Sequence, residues 1–309
     1  MTYYLLANPN SGAGKGARTL EILLPYLEKN TIEYKLFATE KMGQEASIVK
    51  QILDEKKRGD QLIIIGGDGT ISLVINELPA DEAFGYIPAG SGNDFARSLK
   101  LSLNPIEAFE AARSQNIHEI YIMRYRSRGL NGYALNNIGI GLDATIVKSA
   151  NKSKVKTLLN KLKLGSLSYI LTALHVLITK KPFSMSVSTD QDSVSKFDEI
   201  MRTDNAFLMT FTKHPYFGGG VKISPKASNL DQEIHLVEYD KHHLVQTFSL
   251  VPRVLKGTHL EHPLFMHKIK TNFAVVLKEE EPVQIDGEIY HLSANDELFI
   301  STEKRKIIY

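Results

Sequence analysis

The chain has 309 residues, of which 43% are hydrophobic and 23% are charged. This composition is typical of a folded protein and excludes extensive disorder, and the length favours two domains because single cores rarely exceed about 250–300 residues. The 37 basic and 35 acidic side chains give a net charge of +2, which is too balanced to drive binding to nucleic acid, and the absence of cysteine excludes disulfides and thiolate zinc sites.

The first third of the chain alternates short apolar strands with helical patterns. Strands are predicted at residues 3–7, 33–38, 61–65 and 83–87, and helices at residues 17–29 and 43–55 and from residue 70. This order predicts a parallel sheet with helices on both faces. Such sheets bind ligands beyond the carboxyl ends of their strands.

Three loops rich in glycine and small polar residues follow these strands, at residues 8–16, 66–70 and 88–94. The second loop opens a helix, so its N–H groups can hold a phosphate while Asp68 orients a metal-bound water. The first resembles a Walker A loop only superficially, because Gly16 stands where a hydroxyl should reach magnesium. Each loop alone would suit a simple turn, but three on one rim predict a nucleotide cradle.

Beyond about residue 122, strands rich in β-branched and aromatic residues alternate with turn signals. They are predicted at residues 129–137, 183–189, 206–212, 233–239, 271–277 and 283–285, with a helical insertion at residues 153–179. This pattern is typical of an antiparallel sandwich or barrel. The N-terminus has no signal-peptide pattern, and the longest apolar run, residues 169–178, is too short to span a bilayer.

The motifs in combination resemble the lipid kinases that share the diacylglycerol kinase catalytic domain, including bacterial soluble diacylglycerol kinases and the sphingosine and ceramide kinases. In chain order they are residues 8–12, 66–70, 87–96, 137–143, 218–227 and 286–288. The resemblance implies a NAD kinase-like α/β domain that binds the nucleotide, formed by residues 1–122 with 296–309. It also implies a mainly antiparallel β-sandwich that binds the lipid, formed by residues 123–295, with the active site between the two.

The same resemblance implies ATP as the phosphoryl donor and a lipid alcohol, with diacylglycerol first, as the acceptor. The residues assigned to ATP are Asn8, Pro9, Asn10, Ser11, Gly12, Lys15, Thr39, Gly66, Gly67, Asp68, Gly69, Thr70, Ile71, Ser72, Ser91, Asn93 and Asp94. The residues assigned to catalysis are Asp68, Asp286 and Glu288, the last two jointly as the base that accepts the hydroxyl proton. From local sequence alone, residues 283–288 would read as a solvent-exposed Asp-Gly hairpin.

The resemblance also implies a structural magnesium ion, held by Asp231 and by carbonyl groups near Ser228 and Glu233. Three positions depart from the family pattern and leave altered substrate, altered metal use or lost activity open. They are Leu73 in place of a glutamate, Tyr121 in place of an aspartate and Gln232 in place of a glycine. Zinc binding by His259, His262 and His267 is disfavoured, because no acidic or thiolate partner stands at ligand spacing.

The expected partner is a lipid substrate at the bilayer surface, which implies peripheral membrane contact and a cytoplasmic location at the inner face of the membrane. A homodimer is left open, and no nucleic-acid partner is expected. Residues 144–189 contain eight lysines and no acidic residue, and within them an apolar stripe suits an interfacial helix or a helix packed on its own domain. The alternatives are a NAD kinase, which shares the loop at residues 66–70, and a catalytically silent nucleotide-binding regulatory protein.

Overall fold

The N-terminal part of the chain alternates strands and helices. The computed structural model describes residues 1–41, 43–152, 175–190, 197–217 and 220–309. The elements of this part are β1 (Tyr3–Ala7), α1 (Ser11–Lys29), β2 (Tyr34–Ala38), α2 (Glu45–Glu55), β3 (Gln61–Gly66), α3 (Asp68–Glu77), β4 (Ala83–Pro88), α4 (Asp94–Ser98) and α5 (Pro105–Arg113).

Strands β1 to β4 form a parallel sheet in the order β4-β3-β1-β2. Both central strands are buried along their whole length, because helices cover both faces. Leu6 and Ile64 point into a core formed with α2 and α3, and Leu5 and Ile63 point into a second core formed with α1 and α5. Successive strand residues thus serve opposite cores, which accounts for the unbroken apolar runs. The predicted α/β fold is confirmed.

The C-terminal part consists mainly of antiparallel strands. Its strands are β5 (Ile117–Arg126), β6 (Asn131–Ala134), β7 (Asn137–Gly141), β8 (Phe183–Asp190), β9 (Phe197–Thr212), β10 (Tyr216–Phe217), β11 (Val221–Lys222), β12 (Ile234–Asp240), β13 (Phe265–Lys270), β14 (Asn272–Leu277), β15 (Glu281–Ile285), β16 (Glu288–Leu292) and β17 (Glu297–Ile308). Its helices are α6 (Leu142–Lys152) and α7 (Leu244–Lys256).

The sandwich has one principal core, to which β7, β8, β9, β12, β14 and β15 contribute buried side chains. Phe211 and Phe273 meet there with ring centroids 5.2 Å apart. The strand pairs β7–β9, β9–β12, β8–β14 and β15–β16 are all antiparallel. The predicted antiparallel sandwich is therefore confirmed.

The last strand, β17, connects the two halves of the molecule. Its first residues pair with β14 of the sandwich, and its last three pair in parallel with β4 of the N-terminal parallel sheet. It also pairs with β5, from Phe299 opposite Arg126 to Ile308 opposite Ile117. A single hydrogen-bonded sheet therefore runs from one half into the other and fixes the walls of the cleft between them.

The strand predicted at residues 129–137 is divided in the structure into β6 and β7. Between them, Leu135 and Asn136 direct their N–H groups to the carboxylate of Asp286. A distant side chain thus replaces the strand ladder at this point, which no local pattern encodes. The predicted helical insertion at residues 153–179 and the glycines at positions 218 and 219 fall largely or wholly outside the described residues.

Candidate active site

A cleft of about 820 Å³ lies between the carboxyl ends of β1, β3 and β4 and the hairpin formed by β15 and β16. Polar side chains and glycines from both halves of the chain line it. The predicted site residues on its walls are Asn8, Asn10, Ser11, Gly12, Thr39, Gly67, Asp68, Gly69, Thr70, Ser72, Ser91, Asp286 and Glu288. The cleft thus brings together residues separated by up to 280 positions in the chain.

The first loop lies directly against the third. Gly12, Ala13 and Gly14 have φ angles of 56°, 57° and 88°, so regular helical geometry in α1 starts only after them. A Cβ atom on Gly12 would lie 2.5 Å from the carbonyl oxygen of Ala89, which a side chain does not tolerate. The Ser11 hydroxyl donates to the same oxygen at 3.2 Å. Glycine at position 12 is therefore required both by the backbone conformation and by the neighbouring loop.

The second and third loops also approach closely. A Cβ atom on Gly67 would lie 2.9 Å from Cα of Gly90. Asn93, itself in the left-handed region, accepts a hydrogen bond from the Gly90 N–H at 2.8 Å and thereby shapes the third loop. The three loops form one continuous surface of backbone groups, which suits a polyphosphate because exposed N–H groups bind anions.

Asp68 is held at the junction of the second and third loops. Its carboxylate accepts from the N–H of Phe95 at 3.2 Å and from the N–H of Asp94 at 3.3 Å. Burial raises the pKa of Asp68 and the negative charge of Asp94 raises it further, while the backbone donors act in the opposite direction. The carboxylate therefore has a fixed position on the cleft wall.

Six of the residues predicted to bind ATP do not line the cleft: Pro9, Lys15, Gly66, Ile71, Asn93 and Asp94. Lys15 donates instead to the carbonyl group of Gly90 at 3.3 Å, and Asp94 pairs with Arg97 at 2.8 Å. Ile71 belongs to the apolar core. These residues shape the loops from behind, because adjacent positions in a turn or helix cannot all face the same side.

The hairpin between β15 and β16 turns through Asp286 and Gly287, whose φ angles are 49° and 91°. An Asp-Gly pair suits such a two-residue turn. The Asp286 carboxylate accepts from the Ser72 hydroxyl at 2.7 Å and from the N–H groups of residues 135, 136 and 137 at 2.8, 2.8 and 3.1 Å. Burial raises the pKa of Asp286, and these donors oppose that shift.

The geometry separates the two carboxylates that the sequence assigned jointly to the base. Asp286 is engaged by four donors, so it anchors the turn and has little capacity left to accept a proton. Glu288 is exposed and lines the cleft. Burial raises the pKa of Tyr290, and the negative charge of Glu288 raises it further. Burial also raises the pKa of Tyr125, on the same wall, to about 12. Glu288 is thus the accessible carboxylate of the hairpin.

Helix α3 couples the phosphate loops to the second half of the molecule. Its Ser72 bonds Asp286, and its Asn76 exchanges two hydrogen bonds with the backbone of Tyr133, at 2.8 and 3.0 Å. Leu73, which departs from the family pattern, is 41% exposed and lines the cleft. A single helix therefore carries both the second loop and the contacts that orient the hairpin.

A buried polar chain leads from the hairpin to an apolar cavity of about 250 Å³ in the sandwich. Gln284 accepts from the N–H of Gly287 at 2.8 Å and donates to Asn137 and, at 2.7 Å, to Asp143. Asp143 lines the cavity, and burial raises its pKa to about 7. The other lining groups are mostly apolar and include Leu142, Ile146, Phe207, Val221, Leu250 and Val254.

A second buried chain ends at Asn136, whose N–H binds Asp286. Nε2 of His214 lies 2.8 Å from the side-chain oxygen of Asn136, and Nδ1 of His214 accepts from the Tyr216 N–H at 3.1 Å. These contacts assign the neutral tautomer with the proton on Nε2. Burial lowers the pKa of His214 to about 3. The neutral ring therefore holds Asn136, whose N–H in turn binds Asp286.

The oxygens predicted to hold a structural magnesium ion already have a cationic partner. Nζ of Lys213 lies 2.7 Å from the carbonyl oxygen of Asp231 and 2.5 Å from that of Glu233. The Ser228 hydroxyl accepts from the N–H of Leu230 at 3.0 Å. The residues at this position therefore do not fit the predicted metal ion. Within the described part of the chain, no three or more His, Cys, Asp or Glu side chains are grouped so that they could hold a metal ion. His259, His262 and His267 form no such group either.

The contacts of several site residues could not be predicted from local sequence. Asn76, Gln284 and Lys213 act through contacts with segments more than ten positions away. Asp143 and Tyr125 stand in ordinary strand and helix patterns, although Asp143 closes the motif at residues 137–143. The signals that could have found them are the polar residues within otherwise apolar segments.

Two family models match most of the chain. A model described as the diacylglycerol kinase catalytic domain matches residues 2–125. A model described as the YegS C-terminal NAD kinase beta sandwich-like domain matches residues 136–294, more than half of the chain. The boundary between the two lies close to the cleft.

Similar proteins cover nearly the same length. The chain is 28% identical over 297 residues to YtlR of Bacillus subtilis, a provisionally named lipid kinase, covering 93% of each chain. It is 28% identical over 287 residues to a diacylglycerol kinase of Staphylococcus saprophyticus, covering 92% of this chain and 88% of the relative. A crystal structure of a diacylglycerol kinase from Bacillus anthracis has the same fold, with a TM-score of 0.66, 18% identity and coverage of 100% and 96%.

Proposed function

The chain belongs to the diacylglycerol kinase catalytic-domain family of ATP-dependent lipid kinases, and we propose that its acceptor is the hydroxyl group of diacylglycerol or a closely related lipid. The observation that carries the proposal is the cleft itself. Phosphate-binding loops form one wall, an accessible carboxylate stands on the other, and a buried polar chain leads from that carboxylate's hairpin to an apolar cavity.

The nucleotide would bind at the three loops. Backbone N–H groups of residues 67–70, with the second amide hydrogen of Asn8, offer donors to the phosphate oxygens, and the N-terminus of α3 adds its positive dipole. The Asp68 carboxylate retains lone pairs beside its two backbone contacts, so it suits a hard cation. Magnesium bound there with ATP would neutralise charge on the transferring phosphoryl group.

Glu288 would act as the general base. The hydroxyl oxygen of the lipid forms a bond to the γ-phosphorus while the bond from that phosphorus to the bridging oxygen of ADP breaks. The hydroxyl proton passes to the Glu288 carboxylate, which lines the cleft and is open to solvent. Asp286 positions this hairpin by binding Ser72 and the backbone of residues 135–137.

The apolar cavity would take the hydrocarbon end of the acceptor. Its lining from Leu142, Phe207, Leu250 and other apolar side chains includes few polar groups, namely Asp143 and the hydroxyls of Tyr239 and Thr247, which bond each other at 2.9 Å. Asp143 is linked through Gln284 to the turn that precedes Glu288. A lipid that places its chains in the cavity would therefore direct its polar end toward the catalytic hairpin.

Helix α7 offers a surface for contact with the membrane. Leu244, Val245, Phe248, Val251 and Leu255 are exposed, and their spacing confines them to an arc of about 120° on the helix. Leu250 and Val254 on its inner side line the apolar cavity, and Val251 and Leu255 of the exposed arc also contribute to the cavity lining. Residues 241–260 contain three Lys or Arg side chains and no acidic residue. An apolar stripe with basic neighbours is the pattern of a helix that lies in an anionic bilayer surface.

No helix in the described part of the chain combines the length and apolar character that a bilayer crossing requires. Residues 153–174 of the lysine-rich segment that the sequence singled out for membrane contact lie outside the described residues. The proposed contact therefore rests on α7.

The test of the proposed function is an acceptor panel. The protein is incubated with radiolabelled ATP, magnesium and mixed micelles that contain diacylglycerol, sphingosine, ceramide, phosphatidylglycerol or polyprenol, with NAD as a separate acceptor. The expected result is label on diacylglycerol. Label on NAD alone, or on no acceptor, would refute the proposal.

A further inference from the structure

The segment at residues 224–233 is folded around the side chain of Lys213. This side chain is completely buried, and its Nζ lies 2.7 Å from the Asp231 carbonyl oxygen, 2.5 Å from the Glu233 carbonyl oxygen and 3.5 Å from Oδ1 of Asp231. On a further side, Nζ lies 5.9 Å from the centre of the Tyr121 ring. An ammonium group has three N–H donors, and three oxygens receive them.

Two carbonyl oxygens and a carboxylate around one point are a ligand set that hard cations prefer. Here the positive charge at that point belongs to the protein. A divalent ion at the same oxygens would displace the ammonium group and leave it buried next to a like charge, which is strongly unfavourable. We infer that the Lys213 ammonium group is a built-in replacement for a structural cation, so that the segment at residues 224–233 folds without a bound metal ion.

The replacement accounts for one of the departures seen in the sequence. Tyr121 stands where an aspartate is usual in the family, and its aromatic ring is one of the groups that face the Lys213 ammonium. The backbone N–H of Tyr121 donates to the carbonyl of Asn229 at 2.7 Å, so the ring and the segment are held together. Nothing in the structure explains Gln232, which is exposed.

The segment at residues 224–233, which Lys213 stabilises, also contacts the N-terminal α/β part of the chain. The side-chain oxygen of Asn229 accepts from the Ser98 hydroxyl at 2.9 Å, and its amide donates to the Tyr121 carbonyl at 3.3 Å. Ser98 ends α4, whose first residues donate to the carboxylate of Asp68. Lys213 is therefore a positioning residue that helps to orient the two halves across the cleft.

The inference concerns metal binding in the segment and does not depend on the identity of the acceptor lipid. Its test is the thermal midpoint of the protein without nucleotide, measured in EDTA and in a series of magnesium concentrations. The wild type should show the same midpoint throughout. The variant Lys213→Ala should be destabilised in EDTA and regain about 5 °C at magnesium concentrations near a hundred times its dissociation constant, because the vacated position accepts the ion.

Two further variants separate the charge from the packing. Lys213→Met should be destabilised without recovery in magnesium, because its side chain fills the position without a charge. Lys222→Ala, which removes an exposed lysine of β11, should match the wild type in both conditions. Loss of stability in Lys213→Ala without recovery in magnesium would overturn the inference, because the oxygens would then not form a cation site.

If Lys213→Ala does not fold, the wild type and Asp231→Asn provide the test. If magnesium leaves the midpoint of both proteins unchanged, the segment binds no structural ion and the inference holds. A rise of the wild-type midpoint in magnesium that disappears in Asp231→Asn would overturn it.

Discussion

We refer to the loop side of the cleft as the nucleotide wall and to the hairpin side as the acceptor wall, after their proposed roles, and the two walls are assembled in different ways. On the nucleotide wall, three loops within the first 94 residues meet through backbone contacts that glycines allow, such as Gly12 against Ala89 and Gly67 against Gly90. On the acceptor wall, one carboxylate joins segments that are 149 to 214 positions apart, through hydrogen bonds from Ser72 and from residues 135–137. The first wall therefore depends on steric fit between neighbouring loops, and the second on a few long-range polar contacts.

The largest effect is expected at the long-range contact. Asp286→Asn replaces an oxygen acceptor by an amide that faces donors, so at least one N–H of residues 135–137 loses its partner. The free energy of unfolding should fall by about 3 kcal/mol, and kcat by about 10³-fold because the hairpin shifts. Urea denaturation and steady-state kinetics measure both.

The matched control for Asp286→Asn is Ser72→Ala, which removes one donor and leaves the carboxylate in place. Its stability loss should be about 1 kcal/mol. Equal and small losses in both variants would show that the acceptor wall does not depend on this carboxylate.

A substitution that creates a steric clash should disrupt the nucleotide wall and weaken ATP binding. Gly12→Ala places a methyl group 2.5 Å from the Ala89 carbonyl oxygen and should separate the first and third loops. The expected loss in kcat/KM for ATP is about 10²-fold, since small displacements of binding groups are costly. Gly14→Ala is the control, because position 14 has a φ of 88° but no atom within 4 Å of the added methyl group. If both variants lose activity equally, backbone strain and not loop contact is the cause.

A smaller effect is expected from Asp143, which titrates in the buried chain behind the acceptor wall. Burial raises its pKa to about 7 in the folded protein, from an ordinary value of 3.8. Between these two values the unfolded chain has lost the proton that the folded protein retains, so stability falls as the pH rises. The fall should be about 1.4 kcal/mol per pH unit at most, and it should level off above pH 7.

The comparison for this titration is Asp143→Asn, which has no proton to lose. The difference in unfolding free energy between the wild type and this variant should decrease from pH 4 to pH 7. A difference that stays constant over this range would show that Asp143 is ionised in the folded protein.

The smallest effect is expected on the membrane-facing surface. Val245 is 84% exposed, so Val245→Ser should leave the fold intact and weaken partitioning onto anionic vesicles by about fivefold. Leu103→Ser, a substitution of a leucine that is 64% exposed in the other half of the chain, should leave partitioning unchanged. Sedimentation with sucrose-loaded vesicles measures the difference. Equal partitioning of both variants and the wild type would remove α7 from the membrane contact.

The difference between local and long-range contacts also determines which parts of the structure can be predicted from the sequence. The sequence predicts strands β1, β3 and β4 to within one residue, because apolar runs followed by loops of small and polar residues are local signals. Strand β17 was not predicted, because charged residues such as Lys304 and Lys306 interrupt its pattern. Its Arg305 is nevertheless buried, with the guanidinium group 4.3 Å from the centre of the Tyr133 ring. Only the tertiary structure supplies that partner.

The same limit applies to the site. The three phosphate loops and the carboxylates of the hairpin are contiguous motifs, so the sequence located them. It did not distinguish the roles of Asp286 and Glu288, because that distinction depends on donors from residues 135–137. It also did not identify Lys213, because an isolated lysine at a strand end carries no sign of the oxygens that surround it.

The proposed mechanism depends on Glu288 as the group that accepts the proton of the lipid hydroxyl. The most direct test compares Glu288→Gln with the wild type in the transfer of radiolabelled phosphate from ATP to diacylglycerol, with Glu297→Gln, an exposed glutamate of β17, as control. We expect kcat of Glu288→Gln to fall by about 10²–10⁴-fold while its thermal midpoint and its KM for ATP stay at wild-type values. Wild-type kcat in Glu288→Gln would show that Glu288 is not the base.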